Sequence, residues 1–175
     1  MIEGTRIRLC NAGDETVLAL LGQATFLESF AGMADGQDIL SHCAHQHSPT
    51  VYRKWLNDGK TRIWTAEIPP GNAPVGYLVM TSPDLPISDP QANDLEIKRI
   101  YLLHPFQGSG IGRRLMAEAI AFARTRNCRR LLLGVHSRNI GAIAFYERLG
   151  FTNVGTRKFK VGSHIYDDLV FALTL

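Results

Sequence analysis

Gln107-Gly108-Ser109-Gly110-Ile111-Gly112, with three glycines at alternate positions, is the stretch of this 175-residue chain best suited to hold a ligand. Glycine lets a backbone come close to a bound group and adopt conformations closed to other residues. The loop opens into a predicted helix, Gly110 to Asn127, whose apolar Ile111, Leu115, Ala119 and Ala123 share one face. Successive N–H groups and the positive end of that helix form a site suited to a pyrophosphate, with Arg113 and Arg114 adding charge at its rim. Two nucleotide readings fit poorly. A P-loop needs Lys-Ser or Lys-Thr at the helix start, where this chain has Arg113, Arg114 and Leu115. A dinucleotide fold wants its third glycine one position later and an acidic residue about 20 residues on. No Asp or Glu occurs between Glu118 and Glu147.

The loop resembles the acetyl-CoA motif of the GNAT superfamily of N-acyltransferases, Gln/Arg-x-x-Gly-x-Gly/Ala, here Gln107, Gly110 and Gly112 preceded by Arg99-Ile100-Tyr101-Leu102-Leu103. A second signature follows in register, Asn-x-x-Ala-x-x-Phe-Tyr-x-x-x-Gly-Phe, carried by Asn139, Ala142, Phe145, Tyr146, Gly150 and Phe151. The resemblance covers residues 94–175; the half before it agrees only in the order of its elements. Thr25 to Phe30 and the ending from Gly162 look like PaiA-type spermidine/spermine acetyltransferases. The resemblance implies an acetyl-CoA-dependent N-acetyltransferase. Gln107, Gly108, Ser109, Gly110, Ile111, Gly112 and Arg113 would take the diphosphate of the coenzyme, Asn139 and Tyr146 would contact its pantetheine arm and thioester, and the backbones of Ile100 and Leu102 would extend a ladder to the pantetheine amides.

An alkyl amine has a pKa near 10.4, so at pH 7 only about one molecule in 2,500 is neutral and able to attack a thioester. A base is needed. By the resemblance Glu96, on the strand leading into the loop, is the first choice and His136 the second; the plainer alternative for Glu96 is a surface carboxylate paired with Lys98 on the same face. Tyr146 would protonate the departing thiolate, a task open to a phenol of pKa about 10. Cys10, Cys43 and Cys128 fall in neither motif, which favours direct transfer over an acyl-cysteine. His42, His45 and His47 form a run, but their spacing does not converge on one ion, and no metal is expected. Glu28, Asp167 and Asp168 are candidates to attract a cationic amine, with a polyamine or other small primary amine as the leading acceptor. A peptide amine, or a noncatalytic acyl-CoA-binding module, is the alternative.

The elements that position these residues read as an α/β (α+β) chain. Strands are predicted over 5–10, 61–67, 75–82, 95–103, 131–135, 152–161 and 166–173. Helices are predicted over 14–30, near Ile39, after Ser48-Pro49, and over 110–127 and 139–149, with Asp14 as an N-cap and Gly150 ending the last helix. The strand-helix-strand run through 95–135 implies a parallel pair. The resemblance implies a central mixed, mostly antiparallel sheet of about seven strands, splayed between strands 4 and 5 and flanked by about four helices. Residues 83–93 hold three prolines but read as a long hairpin tip, so one domain over 1–175 is expected. A net charge of +3 with spread basic residues argues against nucleic acid, and three widely spaced cysteines argue against a disulfide framework. No apolar run near Met1 reads as a signal or spanning segment, so a cytoplasmic location is expected, and a homodimer is a family-level expectation.

Overall fold

The computed structural model describes residues 3–162 and 164–175. Along the chain run β1 (Arg6–Leu9), α1 (Glu15–Phe30), α2 (Gly36–Gln46), α3 (Pro49–Asn57), β2 (Arg62–Ile68), β3 (Ala73–Thr81), β4 (Leu95–Leu102), α4 (Ile111–Thr125), β5 (Arg130–His136), α5 (Ile140–Arg148), β6 (Thr152–Val161) and β7 (His164–Thr174). They build one sheet in the order β1-β2-β3-β4-β5-β7-β6. β4 and β5 are parallel and the other neighbours antiparallel, the mixed sheet that the strand-helix-strand pattern implies.

Alternation along the middle strands decides what packs where, because successive side chains point to opposite faces. On β3, Leu78 and Met80 join Leu115, Met116 and Ala119 of α4 in the larger core. Tyr77 and Val79 turn the other way, to Leu18 and Leu21 of α1 and Tyr52 of α3. Both faces of β2 and β3 are therefore covered, which is why these strands read as nearly continuous apolar runs. Ser48 caps α3 as its sequence predicts, accepting from the Val51 N–H at 3.3 Å. Asp14 does not cap α1. Its carboxylate is taken by the Arg8 guanidinium at 2.8 and 3.0 Å and by the Asn11 N–H, so an ion pair to the preceding strand displaces the cap.

The ladder between β3 and β4 slips by one residue. Val79 faces Arg99 and Met80 faces Ile97, leaving Lys98 as the extra residue of a bulge. β4 pairs with β5 only over Leu95–Ile97 against Leu131–Leu133. Beyond the bulge the two strands part, while β5 continues to pair with β7 as far as His136. The 82–94 connection folds back over the paired end, where Leu85 packs on Leu132, Val170 and Ala172.

Two histidines sit in this framework uncharged. His47, 1% exposed, has Nδ1 2.9 Å from the Tyr52 hydroxyl, which donates to Tyr77 and accepts from Arg99. His42 stacks on Phe26 with ring centroids 4.1 Å apart. Burial, helped by the nearby Arg99 cation, pushes His47 down to about 2 and His42 down to about 4, from 6.5. Below about pH 6.5 the unfolded chain takes up protons on both rings and the native chain does not. Stability therefore rises with pH in this window and is lost as pH falls. Urea titrations should show the unfolding free energy dropping from about pH 6.5 towards pH 4.5, with a smaller slope in His47→Gln; a free energy flat over that interval would contradict this account.

Candidate active site

Where β4 and β5 separate, a cleft of about 1900 Å³ opens through the sheet. One wall is β4 from Ile97 to Leu102, the other is β5 from Leu133 to His136, and α5 closes one end with Ala142, Phe145 and Tyr146. The edge of β4 that faces β5 is unpaired past Ile97, so the Ile100 and Leu102 region can receive an extended ligand as a strand receives a neighbour. Gln107 Nε2 donates to the Leu102 carbonyl at 3.3 Å, tying the glycine loop to the end of the strand.

At the mouth of the cleft Gly108 and Gly110 take φ of 73° and 89°, the left-handed region that favours glycine. These two turns bring the amides of the loop and of the first turn of α4 to one place. No backbone acceptor among the described residues serves the amides from Gly108 to Arg113; the ladder of α4 begins with the Arg114 N–H on the Gly110 carbonyl. At Gly112 a Cβ would lie 3.4 Å from Leu102 and 3.7 Å from Phe145, ordinary contact distances, so packing there does not itself demand glycine. Ser109 and Ile111 do not line the cleft with their side chains: the Ser109 hydroxyl donates to the Phe106 carbonyl and the Ile111 side chain is core. Arg113 lines the cleft, whereas Arg114 turns away to the Thr5 carbonyl. Asn139 caps α5, its Oδ1 accepting from the Ala142 N–H at 3.0 Å, and it also lines the cleft. Arg138 and Arg148 also line the cleft and were missed from the sequence. Helical spacing from Gly141 through Phe145 to Arg148 was the available signal for the second.

Tyr146 is 7% exposed, packs against Phe145 and Phe151, and lines the cleft. Burial raises its phenol well above 10, so the proton stays on the oxygen until a strong base appears beside it. Glu96 is placed differently. It lies on the stretch of β4 still paired with β5, ahead of the bulge, and does not line the cleft. Its carboxylate accepts from the Asp84 N–H at 2.8 Å and pairs with Lys98 at 3.4 Å, under the 82–94 connection. The pairing with Lys98 is present, but the group is 1% exposed and not a surface carboxylate. His136 lines the cleft, yet its Nδ1 accepts the Arg138 N–H at 3.0 Å, which leaves the ring proton on Nε2 as a donor. None of the three cysteines lines the cleft, and burial pushes every thiol up, Cys10 to about 12. Among the described residues no group of three His, Cys, Asp or Glu is placed to hold a metal.

Residues 31–151 match the profile of the acetyltransferase (GNAT) family. The chain belongs to that family. An uncharacterised N-acetyltransferase of Mycobacterium tuberculosis is 29% identical over 162 residues, covering 93% of this chain and 98% of its own. Rat N-acetyltransferase 8 is 27% identical over 135 residues, 74% of this chain and 58% of its own. The crystal structure of a PaiA N-acetyltransferase from Thermoplasma acidophilum in complex with coenzyme A shares the fold at a TM-score of 0.76 and 18% identity, over 98% of this chain and 99% of that one. This GNAT chain is an acyltransferase that uses acetyl-CoA as co-substrate, and the unserved amides at the head of α4 suit the coenzyme's diphosphate. No described helix is long and apolar enough to cross a membrane. Alanine at Gly110 is strained by about 1–2 kcal/mol at that φ. Gly110→Ala should weaken coenzyme A binding about tenfold by calorimetry; unchanged affinity would dissociate the loop from the diphosphate.

Proposed function

We propose that this enzyme moves the acetyl group of acetyl-CoA directly to a primary amine on a small molecule, with Tyr146 as the acid that protonates the departing thiolate. The observation that carries the reading is the division of the cleft. At one end lie the unserved amides of 108–113 with Arg113, Arg138 and Arg148, suited to an anionic coenzyme. At the other is a chamber whose walls include Phe26, Phe30, Met33, His42 and Phe159. Tyr146 lines the same cleft from α5. A wall of packed aromatic rings from α1, α2 and β6 suits a small acceptor better than a folded partner.

A polyamine is the first acceptor to test, on the PaiA resemblance. Two of the carboxylates that would draw it in are engaged elsewhere: Glu28 accepts from the His104 N–H at 3.1 Å and Asp167 pairs with Lys158. Arg157, Lys158 and Lys160 also line the chamber. That balance favours an amine whose remaining body is neutral or anionic, so amino acids belong beside polyamines, aminoglycosides and peptides in the screen. Release of coenzyme A thiol with one of these amines is the expected result; coenzyme binding without turnover on any of them would instead indicate a noncatalytic sensor. Tyr146→Phe should lower kcat by about 10²-fold or more while leaving coenzyme A affinity within twofold. Equal kcat in the two proteins would remove Tyr146 from the chemistry.

A further inference from the structure

With Glu96 outside the cleft and His136 presenting a donor, the base that frees the amine lone pair is still to be found. Three side chains stand directly opposite one another on one face of the last three strands: His136 on β5, Asp168 on β7 and Arg157 on β6. All three line the cleft. The Asp168 side chain is 5% exposed. Arg157 donates Nε and Nη2 to the same oxygen, Oδ2, each at 3.1 Å, and so fixes the carboxylate without using its other oxygen. Oδ1 is buried and has no hydrogen-bond partner among the described residues. A buried carboxylate oxygen with no protein donor is costly, so a water or a ligand has to serve it. The site is also built for this clamp: Gly134 lies under the Arg157 guanidinium, where a Cβ would come within 2.6 Å.

We propose that Asp168 is the group that takes the proton from the acceptor's ammonium. The assignment rests on amine acetylation as the reaction and adds its base. The ammonium gives one proton to Asp168 and becomes a neutral amine, whose lone pair forms the C–N bond to the thioester carbonyl. As the C–S bond breaks, the thiolate takes the Tyr146 proton, and the second proton shed by nitrogen restores the phenol. Asp168 returns its proton to solvent, so the sum is ammonium plus thioester giving amide, thiol and one proton.

The charges around Asp168 allow this role. Burial raises its carboxyl above the ordinary aspartate value, against the opposing pull of Arg157 and His136 and with a smaller push from Asp167. From β4, Tyr101 and Arg99 face the same region. A carboxylate held up in this way keeps a proton more firmly than an exposed aspartate does.

The test is Asp168→Asn, which can keep the hydrogen bond to Arg157. With an alkyl amine at pH 7, kcat should fall about 10²-fold or more, with coenzyme A affinity within twofold. The loss should shrink as pH approaches the amine's own pKa near 10.4, where solution supplies the free base. A variant within threefold of wild type, or one that raises KM at unchanged kcat, overturns the proposal. Wild-type kcat against pH gives a measurement independent of the variant's folding. A plateau well below the amine's pKa supports an enzymic base, and a rise that continues to that pKa overturns it. Absence of turnover by wild type on every amine overturns the reaction itself, with coenzyme A binding as the separate sign that the cofactor end survives.

Discussion

The parting of β4 from β5 is the constraint on which the rest of the molecule depends. Parallel strands in a sheet ordinarily remain bonded along their length, and here three residue pairs hold before the ladder stops. The bulge at Lys98 is the local cause: one extra residue twists β4 away while β3 still holds its far edge. A gap through a sheet exposes backbone donors and acceptors in the middle of a core, a state that burial would otherwise penalise. The gap is tolerable because both of its mouths are organised. Gln107 ties off the Leu102 carbonyl on one side, and the hairpin β6–β7 continues the sheet beyond β5 on the other.

From that gap follows the distribution of charge. Buried titratable groups ahead of the bulge are locked into structure, as Glu96 is by the Asp84 N–H and Lys98, and as Asp94 is by Arg129 and Arg130. Groups beyond it face the cleft. His47, Tyr52, Tyr77 and Arg99 form a connected polar chain at the wall of the cleft, keeping a cation there and two histidines neutral beside it. Arg99 also lies over the Trp55 ring at 4.6 Å, so aromatic packing as well as hydrogen bonding holds it there.

Much of the fold was legible because its signals are local. Short apolar runs bounded by turn residues marked β2 to β5, Ser48-Pro49 marked the start of α3, and the glycine spacing marked the turn into α4. The glycine loop was legible for the same reason: the amides it leaves without backbone acceptors are consecutive, and consecutive positions are what a sequence displays. Asp14 shows where locality fails. It has the right type and place for a cap, yet Arg8, six residues away, takes its carboxylate.

The acceptor end depends on residues that meet only through the sheet. By itself the sequence determined the element order, the glycine loop before α4 and the place of Tyr146 in its signature, because each follows from nearest neighbours along the chain. Only the tertiary structure decided that Glu96 is sealed off while Arg157, Asp168 and His136 stand together in the cleft. A carboxylate's chemistry is set by what surrounds it, and strand register and one bulged residue choose those surroundings across distances that sequence spacing does not measure.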